Sequence, residues 1–135
     1  HDTPLAAAAD IAIVADVGPE VISGSTRMKA ATAQKMITNM ITTGAMTRLG
    51  YVYENLMVNV HMQNSKLVER GISILMRACH IGRDKAVDVI KSAGRSVPVA
   101  LVMLKAGVDK PEAVRRLARS DGNVRLAIED TTMDL

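Results

Sequence analysis

One stretch of this chain, DIAIVAD over residues 10–16, reads as a buried β-strand: a short apolar run bounded by aspartates and followed by Gly18-Pro19. A strand needs ladder partners, and the remaining sequence offers only short candidates at residues 21–22 and 56–60. Everything else carries helical periodicity, so the fold class is mainly α. The lone strand is expected to find its partners outside this stretch, as the end of a larger α/β domain. The first residue is His1 rather than Met, with no basic-then-apolar signal segment before the first patterned stretch, so the chain reads as an excerpt or processed product with nothing indicating secretion.

The core available to such a chain is restricted. There is no Phe or Trp and only two Tyr, at 51 and 53, so Met, Leu, Ile, Val and Ala must fill it, which suits packed helices. No run approaches the roughly 18 apolar residues a membrane-spanning helix needs, because charged residues interrupt each one; a soluble, cytoplasmic protein is expected. The single cysteine, Cys79, excludes an internal disulfide and a Cys-rich zinc site and reads as a small buried hydrophobe.

Helical segments follow from apolar spacing. Ala33, Met36, Ile37, Met40, Ile41 and Gly44 recur at three-and-four spacing and predict a helix over residues 26–49, capped by Ser25 or Thr26. Met28, Met36, Met40 and Met46 lie on or near that helix and are expected to pack in a core, or, if exposed, against a second subunit. Val68, Ile72, Leu75, Met76 and Cys79 predict a second helix over residues 64–79, closed by Gly82. A weak internal repeat follows: KAVDVIKSAG then VPVAL in residues 85–101, and EAVRRLARSDG then VRLAI in residues 112–128. Each copy predicts a helical hairpin, with Gly94 or Gly122 closing its first helix, and the acidic tail after Glu129 is expected to fray.

Net charge is +3, and the scarcity of aromatics removes the stacking platforms of single-strand nucleic-acid binders, so no nucleic-acid partner is expected. The excess charge is local, with eleven Lys or Arg against five Asp or Glu between residues 77 and 125, a pattern that a solvated basic face explains. Arg115, Arg116 and Arg119 could instead line an anion site, and short glycine-bearing hairpins also occur in DNA-binding helix-turn-helix units. His61 and His80 are too isolated to suggest a metal site.

The stretch that carries chemistry is GPEVISGSTRMKAATAQK, residues 18–35, where small and hydroxyl residues lie between a strand and a helix start. The first amides of a helix lack intrahelical partners and its dipole favours negative charge, so a phosphate there meets ready donors. Ser23, Ser25 and Thr26 add hydroxyls, Gly24 permits close backbone approach, and Arg27 and Lys29 add positive charge. The same residues also suit ordinary helix capping. The Walker phosphate-loop spacing is absent, which disfavours an ATPase.

The segment EVISGSTRMKAATAQK, residues 20–35, resembles the signature of the N-acetylmuramic acid 6-phosphate etherases, shared in part by glucokinase regulatory protein. The stretch NLMVNVHMQNSKL, residues 55–67, and the paired C-terminal hairpins follow in the same order. This resemblance implies that residues 1–60 are the C-terminal end of an α/β sugar isomerase (SIS, flavodoxin-like) domain. Residues 61–135 would then form a small helical domain resembling a ubiquitin-associated (UBA) bundle, without ubiquitin binding. It implies a sugar 6-phosphate site with Ser23, Gly24, Ser25, Thr26, Arg27 and Lys29 in one wall and Glu20 beside it. Where the family usually has Gly, this chain has Ala31, which stiffens the first helical turn or narrows a close contact.

The reaction implied is lyase cleavage of the lactyl ether of N-acetylmuramic acid 6-phosphate to N-acetylglucosamine 6-phosphate and D-lactate in cell-wall recycling, by a homodimer with no metal or organic cofactor. Such elimination needs one group to take the proton beside the sugar carbonyl and another to protonate the departing oxygen, tasks suited to paired carboxylates. This chain supplies no such pair, and in the family those glutamates lie in earlier segments. No catalytic residue is therefore assigned, and the fragment alone is expected to be inactive. The alternative is a regulator resembling glucokinase regulatory protein, which would use occupancy of the same loop to change a partner's affinity.

Overall fold

The computed structural model describes residues 3–131, which divide into two compact units between Gly44 and Ala45. In the first, Thr3 caps a single turn, α1 (Pro4–Ala7), by accepting the Ala6 amide hydrogen. An irregular stretch leads to α2 (Lys29–Arg48), the longest helix, whose last turn belongs to the second unit.

The strand expected at residues 10–16 does not form. Those residues are exposed, Ile11 at 81%, and they belong to no sheet. The physical reason is the one the sequence raised: without a ladder partner among the described residues, an extended segment gains neither hydrogen bonds nor burial. Residues 21–22 likewise form no strand. The apolar stripe of α2 is present at the expected spacing but largely uncovered, with only Ala33 and Ile37 half-buried; Met36, Met40 and Met46 on α2 and Met28 just before it, expected in a core, are exposed. None of residues 3–44 is buried.

The second unit holds the core. A hairpin of β1 (Val52–Tyr53) and β2 (Leu56–Met57) pairs Val52 with Met57 and Tyr53 with Leu56. The apolar residues 56–60, ambiguous in sequence, thus enter as a short strand, and Val58 beyond it is fully buried. Then come α3 (Ser65–Cys79), α4 (Arg83–Ser92), α5 (Val97–Ala106), α6 (Lys110–Arg119) and α7 (Val124–Glu129). Helix α5 packs against α3, α4, α6 and α7. Its sequence VPVALVMLKA is apolar nearly all round, as a helix surrounded by others must be. Val97, Ala100, Leu101 and Val102 are fully buried, with Leu75, Ala86, Ala113, Val124 and Ala127 closing around them.

The helix starts are encoded locally. Asn64, Ser96, Asp109 and Asn123 each accept the amide hydrogen three residues on, at 2.9, 3.4, 2.9 and 3.2 Å. The ends of α4 and α6 share one device. After α4, the Gly94 amide donates to the Lys91 carbonyl and the Arg95 amide to that of Ile90; after α6, Asp121 and Gly122 repeat the pattern onto Ala118 and Leu117. Both are Schellman closures, each followed by the next helix, α5 or α7. The two glycines are nonetheless one position out of register: Gly94 sits at the first residue past the cap, whereas Asp121 takes that place, at φ 50°, and Gly122 follows. Helix α3 ends at Cys79 as expected, but it closes on a left-handed His80 at φ 52° rather than on Gly82; His80 lies between Cys79 and Ile81, which both pack on the core. Gly82 instead starts α4.

Cys79 is half-buried, and burial pushes its thiol up. Glu112 gathers the three arginines expected on a solvated face: Arg115 at 2.8 Å, Arg116 at 2.9 Å and Arg119 at 3.3 Å. Arg119 also reaches Asp130 at 2.9 Å, so the first residue after Glu129 is held; residues 132–135 of the tail lie outside the described residues.

Candidate functional site

Within the first unit, residues 19–30 form a closed loop. Glu20 reaches nine residues forward, its Oε1 and Oε2 each accepting the Lys29 amide hydrogen at 3.1 Å, and Oε1 also accepts that of Ala30 at 3.1 Å. The Lys29 ammonium donates to the Pro19 carbonyl at 2.8 Å. Both ends of the loop are thereby tied by a carboxylate on two amides and an ammonium on a carbonyl. An ionised partner makes bonds of this kind stronger than neutral ones of the same geometry.

This geometry corrects the capping expectation. Glu20, not Ser25 or Thr26, satisfies the first amides of α2, because a carboxylate presents two acceptor oxygens where a hydroxyl presents one centre. Ser25 Oγ instead accepts the Arg27 amide hydrogen at 3.3 Å, and its own amide donates to the Ile22 carbonyl at 3.1 Å, making a tight turn. The Thr26 carbonyl accepts the Ala31 amide hydrogen at 3.0 Å. Helix α2 consequently begins at Lys29, three residues later than expected.

Gly24 has φ 83°, a left-handed conformation that a side chain strains, while the space around it is open. Its glycine is required by the turn, and the open side leaves room for a ligand. Ser23 and Thr26 use their side-chain hydroxyls in no hydrogen bond among the described residues, and Arg27 makes no ion pair there. Glu20 pairs with neither Arg27 nor the Lys29 ammonium. Ala31 is half-buried in the first turn of α2. Sequence reasoning named Glu20, Ser23, Gly24, Ser25, Thr26, Arg27 and Lys29, and the structure places all seven in this loop. It missed Pro19 and Ala30, whose contributions are backbone groups that no side-chain pattern signals.

A shallow groove runs alongside, lined by Ile13, Ala15, Ala30, Ala33 and Ile37. It is apolar and offers only Gln34 and Thr38 as polar side chains. Among the described residues, no group of three or more His, Cys, Asp or Glu gathers to hold a metal, and no helix is long and apolar enough to cross a membrane.

The chain is 48% identical over 127 residues to the N-acetylmuramic acid 6-phosphate etherase of Klebsiella aerogenes, covering 94% of this chain and 42% of that protein. The etherases of Lactobacillus johnsonii and Salinibacter ruber are 52% identical over 122 residues and 54% over 120, covering 90% and 89% of this chain and 41% and 39% of theirs. This chain matches the C-terminal portion of the N-acetylmuramic acid 6-phosphate etherases. It spans about two fifths of the length of these curated relatives. No protein-family model matches the chain. The etherase resemblance read from residues 20–35 thus extends over about nine tenths of the sequence, through the hairpins of the second unit.

Proposed function

We propose that this chain is the C-terminal part of an enzyme cleaving the lactyl ether of N-acetylmuramic acid 6-phosphate to N-acetylglucosamine 6-phosphate and D-lactate. Its contribution is a phosphate-binding loop, residues 20–29. The observation that carries this reading is the closed loop itself: it presents the Ser23 and Thr26 hydroxyls and the Arg27 guanidinium with their hydrogen-bonding capacity unused. Hydroxyls and a guanidinium beside open space suit the three acceptor oxygens of a phosphate monoester, with Gly24 sparing room and Ser25 setting the turn. Glu20 and Lys29 flank the same position. The etherases of matching sequence support a sugar phosphate as the ligand.

Ether elimination requires an acid and a base, and Glu20, the carboxylate beside the loop, is engaged with two backbone amides. The reacting carboxylates are assigned to the portion of the longer protein that this chain does not span. In that protein, residues 1–60 complete a SIS-type α/β sugar-phosphate domain, residues 10–16 joining its sheet, and residues 61–135 form the UBA-like helical domain. The exposed methionines of α2 suit a homodimer with sites near the subunit boundary. The reading places the enzyme in the cytoplasm, in cell-wall recycling and amino-sugar metabolism, with no metal or organic cofactor.

The test is D-lactate release from N-acetylmuramic acid 6-phosphate, comparing this 135-residue chain with a full-length relative. The relative is expected to release lactate and this chain none. Lactate from the chain alone would overturn the assignment of the acid and base elsewhere. Saturable ligand binding without turnover by a full-length protein carrying this sequence would favour the regulator.

A further inference from the structure

We propose that Glu20 is a positioning residue that holds the phosphate loop in its binding conformation, and that its clamp on the Lys29 and Ala30 amides directs a bound phosphate away from the helix start and onto the loop's hydroxyls. This rests on the phosphate-loop reading for its ligand but not for its geometry. A free helix N-terminus would receive an anion on its first amides. Here those amides are already taken, by a carboxylate belonging to the same chain. A phosphate arriving at the loop meets Ser23, Thr26 and Arg27, whose side chains have no partner among the described residues.

The clamp also joins the loop's two ends. Between Glu20 and Lys29 lie two further hydrogen bonds, Ser25 to Ile22 and Arg27 to Ser25, neither of which reaches either end. The Thr26 carbonyl, bonded to the Ala31 amide, ties the far side of the loop to α2; with the first unit offering no buried side chain to fix the loop by packing, Glu20 and the Lys29–Pro19 bond tie its near end there. Removing the carboxylate frees the loop, and a ligand must then order it on binding, at a cost in affinity.

Three variants of the 135-residue chain separate the roles: Glu20→Ala removes the clamp, Glu20→Asp shortens it, and Glu20→Gln keeps one acceptor oxygen while removing the charge. The readouts are amide hydrogen exchange at Lys29 and Ala30, backbone order over residues 21–28, and the dissociation constant for inorganic phosphate. Glu20→Ala and Glu20→Asp are expected to speed exchange at both amides, disorder the loop and weaken phosphate binding about tenfold. Glu20→Gln is expected to retain loop order and bind phosphate at least as well as the parent. Unchanged exchange and order in Glu20→Ala would overturn the clamp. Tighter phosphate binding by Glu20→Ala would overturn the steering, because it would mean that the carboxylate competes with phosphate for the amides. If the parent chain binds no phosphate, the phosphate-loop reading and the steering fail together, and exchange and order still decide whether Glu20 holds the loop.

Discussion

The Cα of Asn123 occupies the space where a side chain at Gly50 would begin: a Cβ built on Gly50 would lie 2.5 Å from it. Gly50 is the left-handed residue, at φ 81°, of the Schellman closure of α2, its amide bonded to the Thr47 carbonyl and the next amide, of Tyr51, to that of Met46. Asn123 caps α7. One glycine therefore ends one helix and makes room for the start of another. Gly50→Ala incurs both a left-handed Cβ penalty and a collision with backbone, and is expected to destabilise by about 2–4 kcal/mol. Gly107→Ala, at φ 67° with open space around it, incurs only the first, about 1–2 kcal/mol. Denaturant unfolding of the two variants, followed by helical circular dichroism, checks the ranking.

Acid should loosen the α6–α7 corner through Glu112. Hydrogen bonding from Arg116 above all, aided by Arg115 and Arg119 and opposed by desolvation, holds its carboxyl below the usual glutamate range. A carboxyl depressed in the folded state contributes stability that is fully present above its unfolded value and is lost as pH falls through its folded value. Glu112→Gln is expected to flatten the acid limb of a plot of Tm against pH, with its largest deficit near neutrality. A parallel downward shift at all pH values would contradict this.

The two units should respond differently to truncation. Leu101 is fully buried in α5, and Leu101→Ala is expected to cost about 2–5 kcal/mol. Met40, 62% exposed on α2, is expected to change stability by no more than about 0.5 kcal/mol when replaced by Ala. Equal losses in thermal unfolding would mean that the stripe of α2 is covered in solution.

Asn64 accepts the Leu67 amide hydrogen at 2.9 Å and starts α3. Asn64→Ala should cost about 1 kcal/mol, and Asn64→Asp, which keeps the acceptor, should cost less. Exchange rates at the Leu67 amide would report the loss directly.

The second unit was legible because its information is local. Asn64 and Asp109 can be recognised as caps from their own chemistry, and the spacing of Ile72, Leu75 and Cys79 shows which side of α3 turns inward. The candidate loop was legible for a different reason, as a long run of residues resembling a known signature. Its closure was not, because Glu20 and Lys29 are nine residues apart and meet through a backbone amide. His80 was missed because a left-handed non-glycine helix end costs little enough to be set by the packing of its neighbours Cys79 and Ile81.

Residues 10–16 and α2 mark the limit of reading by pattern. Hydrophobic periodicity states which surface a segment would bury, and for α5 and α2 alike the sequence marked apolar surface, along with the composition of the loop. Whether it is buried depends on what stands opposite. For α5, four helices close around Leu101; for Ile11, Met36 and Met40, nothing among the described residues covers them. Tertiary structure alone decided that, and it alone decided that the first amides of α2 are held by Glu20, because burial and long-range hydrogen bonds are properties of pairs of segments, while periodicity belongs to one.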